Sequence, residues 1–402
     1  MRKDTFFTGQ PIFNQLLKLI PKNLISASVR AHNSDRYCKK FMSYDHLVTM
    51  LYATFHKCKS LREVTTGMMA CATRLNHLGI KDYPHKSTFA DANIRRKEMF
   101  FADLYYKLYE LYFPVLPDSG KKKSIEDRLF IFDSTTIELF SEIFKGVGLK
   151  PVNGKRKGGI KAHVLMKYEE NVPQFVYLGH AKENDLVFMP MVSLPEGSIV
   201  TFDRAYFSWK SLREWNQKKV TWVTRLRGNT AYTVKSSAVI SQKETEYGIL
   251  TNEIVALGDH RLKNRIRGRI ITYYDETSKK TLQFISNNLK MSPITIALIY
   301  KKRWQIECLF KRFKQNYPLK YFLGDSQNAI KIQIWCALIT DLLIKIVKNQ
   351  IRRKWSFSNL ASIIRLHLMT YINILKFLEA PEKALLNYIP PVYEQQLSLF
   401  PT

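Results

Sequence analysis

The 402-residue sequence predicts a mixed α/β fold preceded by an all-helical N-terminal region. Three observations carry that prediction. Helical patterning runs from Met1 to about Gly120. Short apolar runs that stop on an aspartate follow it, and a capped, strongly charged helix comes after them. Strands first and helices after them imply one α/β core.

In the N-terminal region, Asp45 to Lys57 carries Leu47, Val48, Leu51 and Phe55 at helical spacing. Ser60 starts a second helix with Glu63 three residues on, a capping box, and Gly79 ends it. Two helices joined by a short turn resemble a helix-turn-helix arrangement. A third helix begins near Ser87 and exposes Asn93, Arg95 and Arg96. These side chains either read base edges and grip phosphate or belong to an ordinary surface helix. Asp118 to Ser124, with Lys121, Lys122 and Lys123, reads as a linker.

The character then changes. Leu129 to Phe132 is apolar and ends at Asp133; Ile160 to Tyr168 and Phe175 to Gly179 read as strands; Ile199 to Phe202 is apolar and ends at Asp203. Ser208 to Lys218 reads as a helix and Val220 to Leu226 as a strand. The next stretch, rich in Thr, Val, Ile and Tyr, reads as a β insertion. Within it Arg261, Lys263, Arg265, Arg267 and Arg269 recur at every second position. On a strand that alternation lines five cations along one face at intervals of about 6 to 7 Å, comparable with phosphate spacing along a nucleic-acid strand. In a loop they would only be solvated; the strand face is the favoured reading.

Ser292 caps the next helix, Pro293 sits at its first position and Pro318 stops it. On it, Tyr300, Arg303, Glu307 and Lys314 share one stripe within roughly 60° of arc. A further helix spans Asn328 to Asn349, followed by Arg352, Arg353 and Lys354.

Composition narrows the partners. Lys and Arg number 63 against 34 Asp and Glu, a formal charge of +29, which suits a polyanion, most commonly nucleic acid. No apolar run has membrane-spanning length: Ile332 to Val347 is interrupted by Asp341 and Lys345. The first residues lack the apolar core of a secretion signal, so a soluble, cytoplasmic protein without a membrane partner is expected. Five cysteines are an odd number and argue against a disulfide framework. His56, Cys58, Cys71 and His77 match no tight zinc spacing.

The acids carry the chemistry. Asp133 and Asp203 each follow an apolar strand and so stand at a sheet rim; with Glu307 from the capped helix they would gather three oxygen ligands. That donor set favours Mg²⁺ or Mn²⁺. Two such ions about 3.5 to 4 Å apart would serve phosphodiester cleavage. Arg303 and Lys314 would hold flanking phosphates. Asp185 is a rival for the middle acid, but it sits in a polar loop. Two readings stay open for His163, a satisfied core histidine or a group near metal and substrate. Two stay open for Trp304 as well, a core ring or a platform for an unpaired base.

Tyr300, Arg303, Glu307 and Lys314, with their spacing, resemble the Y-R-E-K signature of the fourth family of bacterial insertion-sequence transposases, in the DDE superfamily. DST at Asp133, DRAYF at Asp203 and HKSTFADANIRR near the N-terminus also resemble that family's motifs. The resemblance implies a ribonuclease-H-like catalytic core over residues 121–227 and 284–350, with a β-rich insertion at 228–283. An N-terminal all-α DNA-binding domain at 1–120 and a C-terminal helical region at 351–402 complete the expected layout. It further implies Asp133, Asp203 and Glu307 as the catalytic acids and metal ligands, with two Mg²⁺ or Mn²⁺ ions. The expected partner is double-stranded DNA, as terminal inverted repeats and target, bound by a homodimer that excises the element and joins it elsewhere. Relatives pass through hairpin ends that need a flipped base, and Trp304 matches their base-contacting tryptophan.

Overall fold

The computed structural model describes residues 6–116, 125–138, 159–258 and 265–383. Six helices come first: α1 (Ile12–Leu17), α2 (Lys22–His32), α3 (Ser43–His56), α4 (Leu61–Ala70), α5 (Lys86–Arg95) and α6 (Met99–Tyr112). In α3, Leu47, Val48, Met50, Leu51 and Phe55 are all buried, because its apolar positions wrap most of the way round. Ser60 caps α4 by accepting from the Glu63 amide at 3.2 Å, and Glu63 in turn accepts from the Lys59 amide. The expected single helix to Gly79 is shorter, however. It ends at Ala70, and a 3₁₀ segment, Ala72–Leu78, carries the chain to left-handed Gly79. The expected linker, Asp118 to Ser124, lies outside the described residues.

The sheet then begins with β1 (Leu129–Glu138), β2 (Gly159–Lys167), β3 (Pro173–His180) and β4 (Ile199–Phe202). Next come α7 (Trp209–Gln217), β5 (Thr221–Arg225), β6 (Tyr232–Ser237), α8 (Gln242–Glu246), β7 (Ile249–Leu257), β8 (Ile266–Asp275) and β9 (Lys280–Ser286). All nine strands of the described residues join one sheet in the order β3-β2-β1-β4-β5-β9-β8-β7-β6. β1, β4 and β5 run parallel, while β2 and β3 turn back antiparallel on one side. β9 pairs antiparallel with β5, so the strands of residues 228–283 extend the same sheet. Every residue of β4 is buried, as expected of a parallel strand covered on both faces. β6 is exposed along its whole length, as an edge strand.

Helices complete the fold: α9 (Pro293–Lys302), α10 (Trp304–Asn316), α11 (Gln327–Asn349), α12 (Phe357–Leu366) and α13 (Ile374–Glu379). The apolar α11 is a core helix that packs on α3, α5 and α6. Its charge Asp341 is buried and forked by Arg312 of α10 at 2.7 and 3.1 Å, with the Tyr317 hydroxyl donating at 3.0 Å. That network fixes α10 against the central helix. Among the described residues no helix is long and apolar enough to cross a membrane.

Candidate functional site

The site grows from the parallel pair β1 and β4. Phe132 is the ladder partner of Phe202, so the next residues, Asp133 and Asp203, stand beside each other where the β1–β4 ladder ends. β1 does not stop at Asp133 as its apolar run implied; it continues to Glu138 by pairing with β2. Asp133 is therefore held inside a strand. Its Oδ1 accepts from the Ser134 amide at 2.8 Å. Asp203 Oδ1 accepts from the Ala205 amide at 2.9 Å and caps the short turn Arg204–Tyr206.

Glu307 arrives from α10. The expected continuous helix from Pro293 is broken at Arg303, where bonds from the Arg303 amide to Tyr300 and from the Ile306 amide to Arg303 tighten the turn. Arg303 stands at this joint and bridges two acids. Its Nη1 donates to Asp133 Oδ2 at 2.7 Å and its Nη2 donates to Glu307 Oε1. Burial pushes the Asp133 carboxyl up to about 6; Arg303 and the Ser134 amide oppose that rise, while Asp203 and Glu307 add to it. Asp133 thus feels the charge of both other expected acids. Burial works against the charge on Arg303, yet Asp133, Tyr300 and Glu307 raise its pKa overall.

Asp133, Asp203 and Glu307 are the oxygen donors available for a hard divalent ion. They are not closed around such a point: among the described residues no three His, Cys, Asp or Glu side chains form a ready metal site. Arg303 lies between two of the three.

Behind the acids is a polar cluster that joins Asp185 and His163 to Ser134, Lys161 and Tyr206, three residues the sequence reading did not single out. The Ser134 hydroxyl and Lys161 Nζ both donate to Asp185 Oδ1 at 3.1 Å. His163, fully buried on β2, has Nδ1 2.9 Å from the Tyr206 hydroxyl and 3.9 Å from Asp185. Burial lowers the His163 pKa to about 4, with Asp185 opposing and Lys161 assisting, so the ring is neutral near pH 7. Asp185 is thus no free loop residue; it is tied to Ser134, the neighbour of Asp133. The signal was there in β2, where Lys161 and His163 alternate onto one face of an otherwise apolar strand.

Other expected contacts divide. Trp304 is 62% exposed, which removes the core reading. Tyr300 is half-buried against Phe284, with the Arg303 guanidinium 5.8 Å from its ring. Lys314 is exposed and shares a cleft of about 430 Å³ with Glu307, Lys311 and Lys320. On the other flank a cleft of about 360 Å³ is lined by Asp203, Arg204, Arg227 and Asn229.

Two expectations for the basic residues are corrected. At the end of α5, Arg95 is exposed, but Asn93 and the C-cap Arg96 are buried. Arg96 donates to the Ser34 and Phe41 carbonyls, and Asn93 donates to the Leu323 carbonyl, because both fill polar gaps between helices. In the alternating run, Arg261 and Lys263 lie outside the described residues. Arg267 is exposed, Arg265 is half-buried on Thr233 and the Ala256 carbonyl, and Arg269 is buried on Asn252 Oδ1 and the Met291 carbonyl. The strand turns inward toward the α9 entry, so it does not present Arg269 to solvent.

Comparison with known proteins gives a consistent picture. A family model described as the transposase DDE domain matches residues 124–341, and a domain of unknown function matches residues 8–81. A putative transposase, y4zB, of Sinorhizobium fredii is 28% identical over 270 residues, 65% of this chain and 71% of that protein. A putative transposase for insertion sequence element IS4SA of a Synechocystis species is 24% identical over 298 residues, 71% of this chain and 78% of that protein. Among solved structures, the likeness to a piggyBac transposase synaptic complex with hairpin DNA is slight. Its TM-score is 0.38 at 11% identity, over 96% of this chain and 85% of that one.

Proposed function

Because this chain belongs to the transposase DDE domain family, we propose that it is a cut-and-paste DNA transposase whose catalytic acids are Asp133, Asp203 and Glu307. It binds the inverted repeats at the ends of its element, cleaves there and joins the ends to target DNA as a homodimer. The strand order β3-β2-β1-β4-β5, with β1, β4 and β5 parallel, supports a ribonuclease-H-like core.

The observation that carries the reading is the convergence of acids at one rim. Asp133 and Asp203 follow register partners on parallel strands, and Glu307 is tied to Asp133 through Arg303. The donor set fits a hard divalent ion. All three donors are carboxylates, and Asp203 and Glu307 both raise the Asp133 pKa, a like-charge cost that a cation offsets. Mg²⁺ or Mn²⁺, two ions per site, would supply activation of the attacking oxygen and stabilisation of the leaving one.

The chain's own residues do the rest. The sheet fixes Asp133 and Asp203 before DNA arrives, and α10 carries Glu307 and Lys314 on one exposed side. Lys314 on one flank and Arg204 on the other meet phosphates as the strand crosses the acids. Trp304, projecting from the start of α10, offers a stacking surface for an unpaired base, which suits a hairpin end.

The direct test is a plasmid excision and integration assay. Asp133→Ala, Asp203→Ala and Glu307→Ala should each abolish end cleavage and leave end binding intact, and excess EDTA should stop the wild type. Cleavage surviving all three changes together would refute the assignment.

A further inference from the structure

We infer that Arg303 is the resident counter-cation of the acidic cluster, holding Asp133 and Glu307 together in the ion-free protein and exchanged for a divalent ion when the site loads. The inference rests on the reading above of the three acids as ion ligands. Its first support is position. Arg303 occupies Asp133 Oδ2 and Glu307 Oε1, while Asp133 Oδ1 is engaged by the Ser134 amide. The guanidinium thus holds one oxygen on each of two acids that an ion would use. A guanidinium and a divalent ion within about 4 Å of each other repel, so the two cannot share those oxygens at full occupancy.

The second support is how Arg303 is held. Arg312, nine residues beyond the joint and within α10, sets its Nε and Nη2 in a fork on the single carboxylate Asp341. That is a lock. Arg303 instead splits its two ends between carboxylates on different elements, and its buried Nε has no hydrogen-bond partner among the described residues. The arrangement satisfies the acids more fully than it satisfies the arginine.

A route out is also present. Arg303 is the joint between α9 and α10, and its guanidinium already lies 5.8 Å from the half-buried ring of Tyr300, a cation–π contact it can keep on leaving the acids. Arg303 is thus a positioning residue with two roles in sequence. Before loading it keeps Glu307 docked beside the sheet. After loading its charge is released to the mouth of the site, where a phosphate approaches.

Mn²⁺ titration of the full-length protein without DNA, followed by the electron paramagnetic resonance signal of free Mn²⁺, tests the exchange. Arg303→Gln should bind Mn²⁺ at least about fivefold more tightly than wild type. Its thermal midpoint in EDTA should fall below wild type and recover with Mn²⁺. Arg303→Lys, which keeps a charge but cannot bridge two carboxylates in one plane, should fall between and serves if the Gln variant does not fold. Equal or weaker Mn²⁺ binding by both variants overturns the inference. Asp203→Asn separates this from the parent reading, since Asp203 does not touch Arg303: Mn²⁺ binding unchanged by Asp203→Asn, in either background, means the ion sits elsewhere and sinks both.

Discussion

The rings of Phe132 and Phe202 lie face to face, 4.9 Å between centroids and 8° from parallel. Each immediately precedes one of the two strand aspartates, so the separation of the carboxylates is set by a stacked pair buried beneath them. Tyr206 and Trp215 close edge-on around the Phe132 ring. The rim is rigid because its floor is close-packed aromatic core.

Truncating that floor should therefore harm both fold and chemistry. Phe202→Ala is expected to lower stability by about 3–5 kcal/mol, as for other buried phenylalanines. At a temperature where the variant is still fully folded, end cleavage should also drop at least tenfold. Urea unfolding and a cleavage assay on the same preparation check this; full activity in a destabilised protein would show that the acids do not depend on the stack.

Asp185→Asn should act through position alone. It keeps the size of the side chain but removes the charge that Lys161 and the Ser134 hydroxyl both face. Losing support of this kind around a catalytic acid costs about 10–100-fold in activity or ion affinity. End binding, measured by gel shift, should not move. Cleavage within twofold of wild type would reduce the cluster to ordinary core polarity.

Much of this was legible in the amino-acid sequence, and the remainder was hidden for a physical reason. Periodicity and caps gave α3, α4, α7, α9 and α11 because those signals are local. The apolar runs before Asp133 and Asp203 gave β1 and β4 for the same reason. The joint at Arg303 was not readable, since the arginine leaves the helical ladder to meet an acid 170 residues away in the chain. Arg96 looked like a surface cation because its burial depends on the loop around Ser34 and Phe41, not on its own helix. Arg269 failed likewise: alternation predicts a face but not what covers it.

The two arginines at the end of α5, Arg95 in its last turn and Arg96 just beyond it, should separate cleanly. Arg96→Ala leaves the Ser34 and Phe41 carbonyls without their donor and is expected to lower stability by roughly 2–3 kcal/mol. Arg95 has a side chain 79% exposed and, among the described residues, pairs with Asp91 on the same helix, so Arg95→Ala should leave the melting temperature unchanged. If α5 meets DNA, Arg95→Ala weakens binding and Arg96→Ala does so only in proportion to its unfolded fraction. Melting curves beside gel shifts give the answer.

Lys314→Ala should weaken DNA binding through phosphate contact alone. The residue is exposed on α10 beside Glu307. One lost phosphate contact reduces the slope of log K against log salt concentration by about 1, uniformly across DNA sequences. An unchanged slope would place the DNA strand away from this cleft.

His46 makes the helical region acid-sensitive. It is wholly buried; burial first and nearby Arg96 second lower its pKa to about 3, while its bond to Asn93 opposes them. Asn93 donates to the Leu323 carbonyl and presents Oδ1 to His46 Nε2 at 2.8 Å, so Nε2 carries the proton of the neutral ring. Among the described residues Nδ1 has no partner, and the rings of Phe89 and Phe101 pack edge-on against the imidazole. A second proton there would meet no acceptor. The unfolded chain takes up that proton near pH 6.5 and the folded chain only near pH 3, so the stabilising contribution is complete above 6.5 and drains away as pH falls between those values. Between pH 7 and pH 5 the loss should reach about 2 kcal/mol. Denaturant titrations at both pH values should show that difference in the wild type and a smaller one in His46→Gln, which cannot titrate; equal acid losses in the two proteins would assign the sensitivity to other groups.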